Sequence, residues 1–239
     1  MQNFLTSPEL FGDITVELTG GEYHHATRAC RVRIGEEIGV TDGRGRRVVA
    51  RIEHIDKHLL RAAIVRDVSG EGEPLLELTV ALAVIRATRF EAAVEKCTEL
   101  GVRRFVPVIM ERCEPQGSCH LNRDRLMRIA SESAKQAARS FVPEIGEPCT
   151  LPSFLDTLRV PVFAASQTGR ESIEEALARH SGCPAAVCLI GPEGDFTEHE
   201  RSLIEEKGVV FVSLGGLTLR SETAAIVAVS RLIASGVSG

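Results

Sequence analysis

Three short stretches of the chain concentrate residues able to do chemistry: AASQTGR (Ala164 to Arg170), GPEGDF (Gly191 to Phe196) and LGGLTLRSET (Leu214 to Thr223). Each sits at the exit of an apolar run of strand type. Loops at the carboxyl ends of parallel strands converge where helix N-termini offer unpaired N–H donors, so these three are candidate walls of a small-ligand site. After the second, Thr197 and Glu200 make a T-x-x-E capping box, which satisfies the helix start and leaves Glu193 and Asp195 for other work. In the third, Gly215 and Gly216 permit close backbone approach or unusual dihedrals. Arg220, Ser221, Glu222 and Thr223 then crowd polar groups at the entrance of a nearly apolar helix. A C-cap turn followed by an N-cap accounts for the same residues without a ligand.

Several chemistries are unsupported. No G-x-G-x-x-G follows a strand, and neither G-x-x-x-x-G-K-[ST] nor G-x-S-x-G occurs, which argues against a dinucleotide fold, a P-loop and a hydrolase elbow. His54 and His58 straddle an expected strand end, and Cys113, Cys119 and His120 have poor ligand spacing, so no metal is expected. The seven Cys form no CxxC pair, and there is neither a signal peptide nor an apolar stretch long enough to span a bilayer. A reducing cytoplasm is the expected setting.

The elements that must position these loops can be read from periodicity. The 239 residues suffice for one or two domains. The net charge of −5 hides a basic N-terminal part, since residues 22 to 66 hold ten Arg or Lys against six acids. Of the 28 basic residues 24 are Arg, which suits forked recognition of phosphate but follows equally from codon bias. Residues 1 to 67 read mostly as strands with a short helix near Gly20 to Cys30, and Asp42-Gly43 signals a tight hairpin turn, so a small barrel or sandwich is expected. His24 and His25 beside Arg28 and Arg31 suit RNA contact or ordinary surface.

VSGEGEP (Val68 to Pro74) reads as a linker, dividing the chain into domains at 1–70 and 75–239. Beyond it, strand-like runs at 75–84, 103–109, 160–165, 185–190 and 209–214 alternate with helical patterns, which predicts a parallel sheet covered on both faces. A helix over 122–140, capped by Asn122, turns Leu126, Ile129, Ala130, Ser133, Ala134 and Ala137 inward. Arg125, Arg128, Lys135 and Arg139 fall on its opposite stripe, which reads first as a solvated face. The final helix, from about Glu222 to Ala234, is apolar almost all round, which implies burial on several sides or against a second subunit.

Four ordered motifs carry a resemblance. ELGVRRFVPVIMERC (Glu99 to Cys113), AKQAARSFVPEI (Ala134 to Ile145), LIGPEG (Leu189 to Gly194) and LGGLTLRSETAA (Leu214 to Ala225) resemble the RsmE family of small-subunit (16S) ribosomal RNA uracil-N3 methyltransferases. HHATRACRVRIGEEI is similar to that family's N-terminal module, so nearly the whole chain is covered. The resemblance implies an α/β fold: a C-terminal trefoil-knotted parallel-sheet SPOUT methyltransferase domain, one of the few exceptions to unthreaded chains, with a small N-terminal PUA-like β-barrel domain for RNA binding. It implies S-adenosylmethionine as cofactor, small-subunit ribosomal RNA, free or in the assembled 30S subunit, as partner, and a homodimer without membrane or metal.

In this reading the cofactor meets Ala165 and Ser166 on the first loop. It meets Leu189, Ile190, Gly191, Pro192, Glu193 and Gly194 on the second, and Leu214, Gly215, Leu219 and Thr223 on the third. Arg28, Arg31, Arg128, Gln136 and Arg139 would face RNA. Arg220, always charged, would donate to the uracil carbonyl oxygens, and Glu222 or Glu193 would be the base. One departure stands out in AKQAARS, where the family's pattern has Glu before the Gln and Gly before the Arg; here Lys135 and Ala138 occupy those positions. Rival readings are a knotted RNA methyltransferase acting on a ribose 2'-hydroxyl or another base, and a non-catalytic RNA-binding protein.

Overall fold

The computed structural model describes residues 1–113, 121–180 and 182–236. Two compact units are formed, one by Met1–Glu73 with Ser131–Val142 and the other by Pro74–Ala130 with Pro143–Gly239.

In the first unit, five strands run in the order Asn3–Leu5, Glu37–Thr41, Arg47–Ile55, Leu59–Asp67, Thr15–Thr19. The pairings are antiparallel except the first, which is parallel. Phe4, Val16, Leu18, Ile38, Ile52 and Leu60 are at most 1% exposed and form its core, as alternating strand residues do when one face is covered. The short helix is observed as Gly20–His24, continued by a wider-pitched turn over His25–Ala29. The hairpin is real, but its loop spans residues 42–46 and is wider than a tight turn. Asp42 Oδ1 accepts from the backbone N–H groups of Arg44 at 2.7 Å and Arg46 at 3.1 Å, and Gly43 and Gly45 both take positive φ.

The VSGEGEP stretch is tied down at its end. Glu73 pairs with Arg139 at 2.9 Å and accepts from Ser140 N at 2.7 Å, and Gly70 N donates to Ser140 Oγ at 2.9 Å. Lys135 pairs with Glu22 at 2.7 Å and Glu132 at 2.9 Å. The expected solvated stripe holds at Arg125 and Arg128, which are exposed, and is corrected at Lys135 and Arg139, each only 5% exposed because acids distant in sequence receive them. Burial works against the Lys135 ammonium, but the hydrogen bonds it donates to Glu22 and Glu132 outweigh it and the pKa is raised.

The helix is observed over Arg123–Gln136, and Asn122 Oδ1 accepts from Arg125 N at 3.0 Å as an N-cap does. It stops sooner than its periodicity suggests. Ala138 N donates to Lys135 O and Arg139 N to Ala134 O, while Ala138 takes φ 55°; this is a Schellman ending with alanine at the position that favours glycine. Glycine would take this conformation without strain, whereas Ala138 adopts it at a cost.

The second unit is built on an all-parallel sheet, in the order Glu171–Ser172, Val210–Ser213, Val162–Ala165, Ala185–Ile190, Glu77–Ala83, Arg104–Ile109, Glu144–Ile145. Cys149–Thr150 also pairs with Arg104–Ile109. The central strands are buried almost throughout, as continuous apolar runs in α/β sheets are. From Val210–Ser213, outside Val162–Ala165, the chain returns to the sheet centre. There the final helix, Ser221–Gly236, packs on Glu77–Ala83, Ala185–Ile190 and the Ala87–Glu99 helix. That return lays the third loop beside the first two.

Candidate functional site

The three loops meet around an open cleft whose empty space, continuous with solvent, is about 540 Å³. Ala165 and Ser166 line it from the first loop, Ile190, Gly191, Pro192 and Glu193 from the second, and Leu214, Gly215 and Leu219 from the third. Three residues expected there do not line it. Leu189 is fully buried within its strand, Thr223 is exposed on the final helix, and Gly194 faces Arg112. Sequence reasoning missed Gln167, Asp195, Leu217, Ser221 and Ala224 as cleft residues. Leu217, 83% exposed, is the clearest, since an apolar side chain in a glycine-rich polar loop is itself a signal.

The capping box is present in both directions, Thr197 accepting from Glu200 N and Glu200 from Thr197 N. Glu200 also accepts from Glu111 N at 2.8 Å and is 3% exposed. Asp195, however, is not spare. Its Oδ2 accepts from Arg201 at 2.6 Å and Ser166 Oγ at 3.0 Å, and its Oδ1 accepts from Phe196 N at 2.9 Å. Arg201 also reaches Ser166 Oγ and Thr168 Oγ1 and lies over the Phe211 ring at 5.2 Å. Asp195 and Arg201 therefore clasp the first loop to the second. A second tie joins the second and third loops, where buried Ser221 donates to Gly191 O at 2.9 Å. Phe196 plugs the base of the GPEGDF loop, so close that a Cβ on Gly191 would meet its ring at 3.2 Å.

Glu193 and Glu222 are brought together by a residue absent from the expectations. Arg89, on the Ala87–Glu99 helix, pairs with Glu193 and lies 3.8 Å from Glu222. Glu193 is half-exposed, whereas Glu222 is 16% exposed and its Oε2 is buried without a hydrogen-bond partner. Nothing in the sequence could have flagged Arg89, because over a hundred residues separate it from both acids. Arg220 is exposed, and its side chain makes no hydrogen bond or ion pair among the described residues. Behind the loop, Arg112 donates to Gly194 O and Phe196 O.

Of the residues expected to face RNA, Arg28, Arg31, Arg128 and Gln136 are exposed, with Arg31 at φ 55°, and Arg139 is buried against Glu73. Among the described residues no group of three or more His, Cys, Asp and Glu could hold a metal ion, and no helix is long and apolar enough to cross a membrane. Cys119 and His120 lie outside the described residues. Burial pushes the Cys113 thiol above its ordinary range and Cys188 up to about 12, so neither is a ready nucleophile.

The chain is similar to known RNA methyltransferases. Residues 71–233 match the model of an RNA methyltransferase domain, and residues 18–65 that of an RNA methyltransferase PUA domain. The chain is 32% identical to ribosomal RNA small subunit methyltransferase E of Synechocystis sp., covering 95% of this chain and 76% of that protein. It is 25% identical to the protein of the same name from Bacillus subtilis, covering 95% and 93%. Among solved structures, ribosomal RNA small subunit methyltransferase E from Neisseria gonorrhoeae, bound to S-adenosyl methionine, superposes with a TM-score of 0.83. It is 29% identical, covering 96% of this chain and 95% of that one. A methyltransferase from Legionella pneumophila with bound cofactor SAM gives 0.80 at 26% identity, covering 97% and 96%.

Proposed function

The chain belongs to the ribosomal RNA small subunit methyltransferase E family, and on that premise we propose that it methylates N3 of a uridine in small-subunit ribosomal RNA, using S-adenosylmethionine. The observation that carries the reading is the meeting of three strand-exit loops around one cleft of about 540 Å³. Its lining suits an amphipathic cofactor. Loop backbone at Gly191 and Gly215 lies beside Leu217, Leu219 and Ala224, and Glu193 offers a carboxylate near a cationic centre. As the resemblance of the ordered motifs implies, we further propose that the return of the final helix past the first two loops threads a trefoil knot and that the working form is a homodimer.

S-adenosylmethionine supplies, when bound, an electrophilic sulfonium methyl group. The chain's own residues align the acceptor, take up the N3 proton and stabilise the negative charge that develops on the uracil. Alignment in a preformed site is worth several kcal/mol, about 7 to 11 in the best intramolecular cases. Arg220, exposed and with its donors unspent, is suited to the uracil carbonyl oxygens. Glu193 and Glu222, joined through Arg89, are the two candidate acceptors of the proton. The N3 edge is a pairing edge, so the uridine must be unpaired or flipped out. Arg28, Arg31, Arg128 and Gln136 supply RNA contacts that position rather than select.

Calorimetric titration with S-adenosylmethionine tests the cofactor assignment, and absence of saturable binding refutes it. Mass spectrometry of digested ribosomal RNA from a deletion strain tests the mark. Loss of 3-methyluridine is expected; loss of a ribose methyl or of another base mark would refute the N3 assignment.

A further inference from the structure

The cofactor cleft has a neighbour. Sharing Pro192 and Glu193 with it lies a second, shallow hollow open to solvent, walled by Val84, Ile85 and Cys113 and edged by Arg86 and Arg112. We propose that this hollow receives the flipped-out target base and that Glu193, rather than Glu222, accepts its N3 proton. The proposal rests on the uridine-N3 reading above and deepens it.

Position comes first. Val84 to Arg86 directly follow the Glu77–Ala83 strand, and that strand is the ladder partner of Ala185–Ile190, whose exit loop walls the cofactor cleft. Both cavities therefore open at the carboxyl ends of adjacent parallel strands, where ligands of such sheets bind. Their linings share Pro192 and Glu193. Direct transfer needs the reacting atoms about 3 Å apart, so the two occupants would have to meet at this shared rim.

Chemistry agrees with position. The pairing edge of uracil presents an acceptor, a donor and an acceptor: O4, N3–H and O2. Its complement is a donor, an acceptor and a donor. The hollow carries two guanidinium side chains, and its one described carboxylate is Glu193. Arg112 directs Nη1 to Gly194 O and Phe196 O, and a guanidinium has further N–H groups to offer. Arg89 pairs with Glu193 through Oε1, and the Glu193 side chain is half-exposed. Cytosine would set an unprotonated N3 against that carboxylate, so the same edge discriminates between pyrimidines. Val84, Ile85 and Pro192 give apolar surface to the ring. Glu222 borders neither cavity, and its unpartnered oxygen is buried, which leaves it as the second anchor of Arg89.

The step balances. The N3–H bond breaks with its proton passing to the Glu193 carboxylate, and the nitrogen electron pair freed thereby bonds the methyl carbon. The carbon–sulfur bonding pair stays on sulfur, leaving a neutral thioether. Glu193, half-exposed, then returns its proton to water.

Single-turnover methylation of 30S subunits from a deletion strain, with S-adenosylmethionine affinity measured in parallel, tests the proposal. Glu193→Gln should lower the rate about 100-fold or more, as loss of a general base does, with cofactor affinity within a few fold. Cys113→Phe, which fills the hollow from its far wall, should lower the rate comparably with the cofactor affinity kept. A wild-type rate in either variant overturns the proposal, as does a larger fall for Glu222→Gln than for Glu193→Gln. If the wild-type product is not 3-methyluridine the functional reading fails; if it is and both variants turn over normally, this inference alone fails.

Discussion

The clasp between the first two loops makes a quantitative demand on cofactor binding. Asp195 and Arg201 meet at 2.6 Å with side-chain exposures of 25% and 17%, so the pair is neither a surface ion pair nor a fully buried one. Exposed pairs contribute roughly 0.2 to 1 kcal/mol, and breaking a buried pair costs about 3 to 5. An intermediate value of about 2 kcal/mol follows. Asp195 and Ser166 both line the cleft and bond each other, so the clasped arrangement is the one that closes its wall. Releasing it should weaken S-adenosylmethionine about 30-fold, since each 1.4 kcal/mol is tenfold. Asp195→Asn is the right perturbation, because Asp195 sits at φ 58°, where Asn is tolerated and Ala would add strain. Arg201→Met removes the partner while keeping much of the stem over the Phe211 ring. Calorimetry on both variants and the double mutant should give losses that do not add, because each single change already opens the clasp. Wild-type affinity in Asp195→Asn, or strictly additive losses, would refute the reasoning.

Ala138→Gly should stabilise the protein by about 0.5 to 1 kcal/mol, the left-handed penalty of roughly 1 to 2 being partly offset by glycine's freer unfolded chain; chemical denaturation checks this, and a destabilised variant would contradict it. Arg220→Ala should leave S-adenosylmethionine affinity within a few fold and lower methylation on the order of 100-fold, as loss of one oxyanion-type donor does. Near-normal turnover there would remove Arg220 from the mechanism. Arg28→Ala with Arg31→Ala should weaken RNA binding and flatten its salt dependence by up to about two phosphate contacts. An unchanged slope in a filter-binding series would assign that surface another purpose.

The sheet of the second unit was legible because its strands are continuous apolar runs: 185–190 coincides with Ala185–Ile190, and 103–109 differs by one residue from Arg104–Ile109. The loops were legible for the same reason, since a strand exit is marked by the run before it. What the sequence hides is the company a charge keeps. Lys135 and Arg139 lie where a helical template puts solvent, yet Glu22 and Glu73 wait for them from the other end of the chain. The segment Ser131–Val142 joins the first unit through these contacts, and no composition shift marks them. The 42–46 loop errs in a smaller way: Asp42-Gly43 signals a turn, but Asp42 caps two backbone N–H groups and widens it.

The two acids of GPEGDF show where reading by elimination stops. A capping box at Thr197 and Glu200 does release both from the helix start, as the sequence implies. Release from one duty does not make them equivalent. Asp195 lies beside the N-terminus of the Glu198–Glu206 helix, where the backbone dipole favours an anion, and Arg201 on that helix's first turn completes its neutralisation. A carboxylate so engaged has little left to offer a reacting proton. Glu193, two residues earlier, has its charge met by Arg89 and stands half-exposed at the rim shared by two cavities. The loop is longer than its corner requires because one acid holds the wall in place and the other must remain accessible from it.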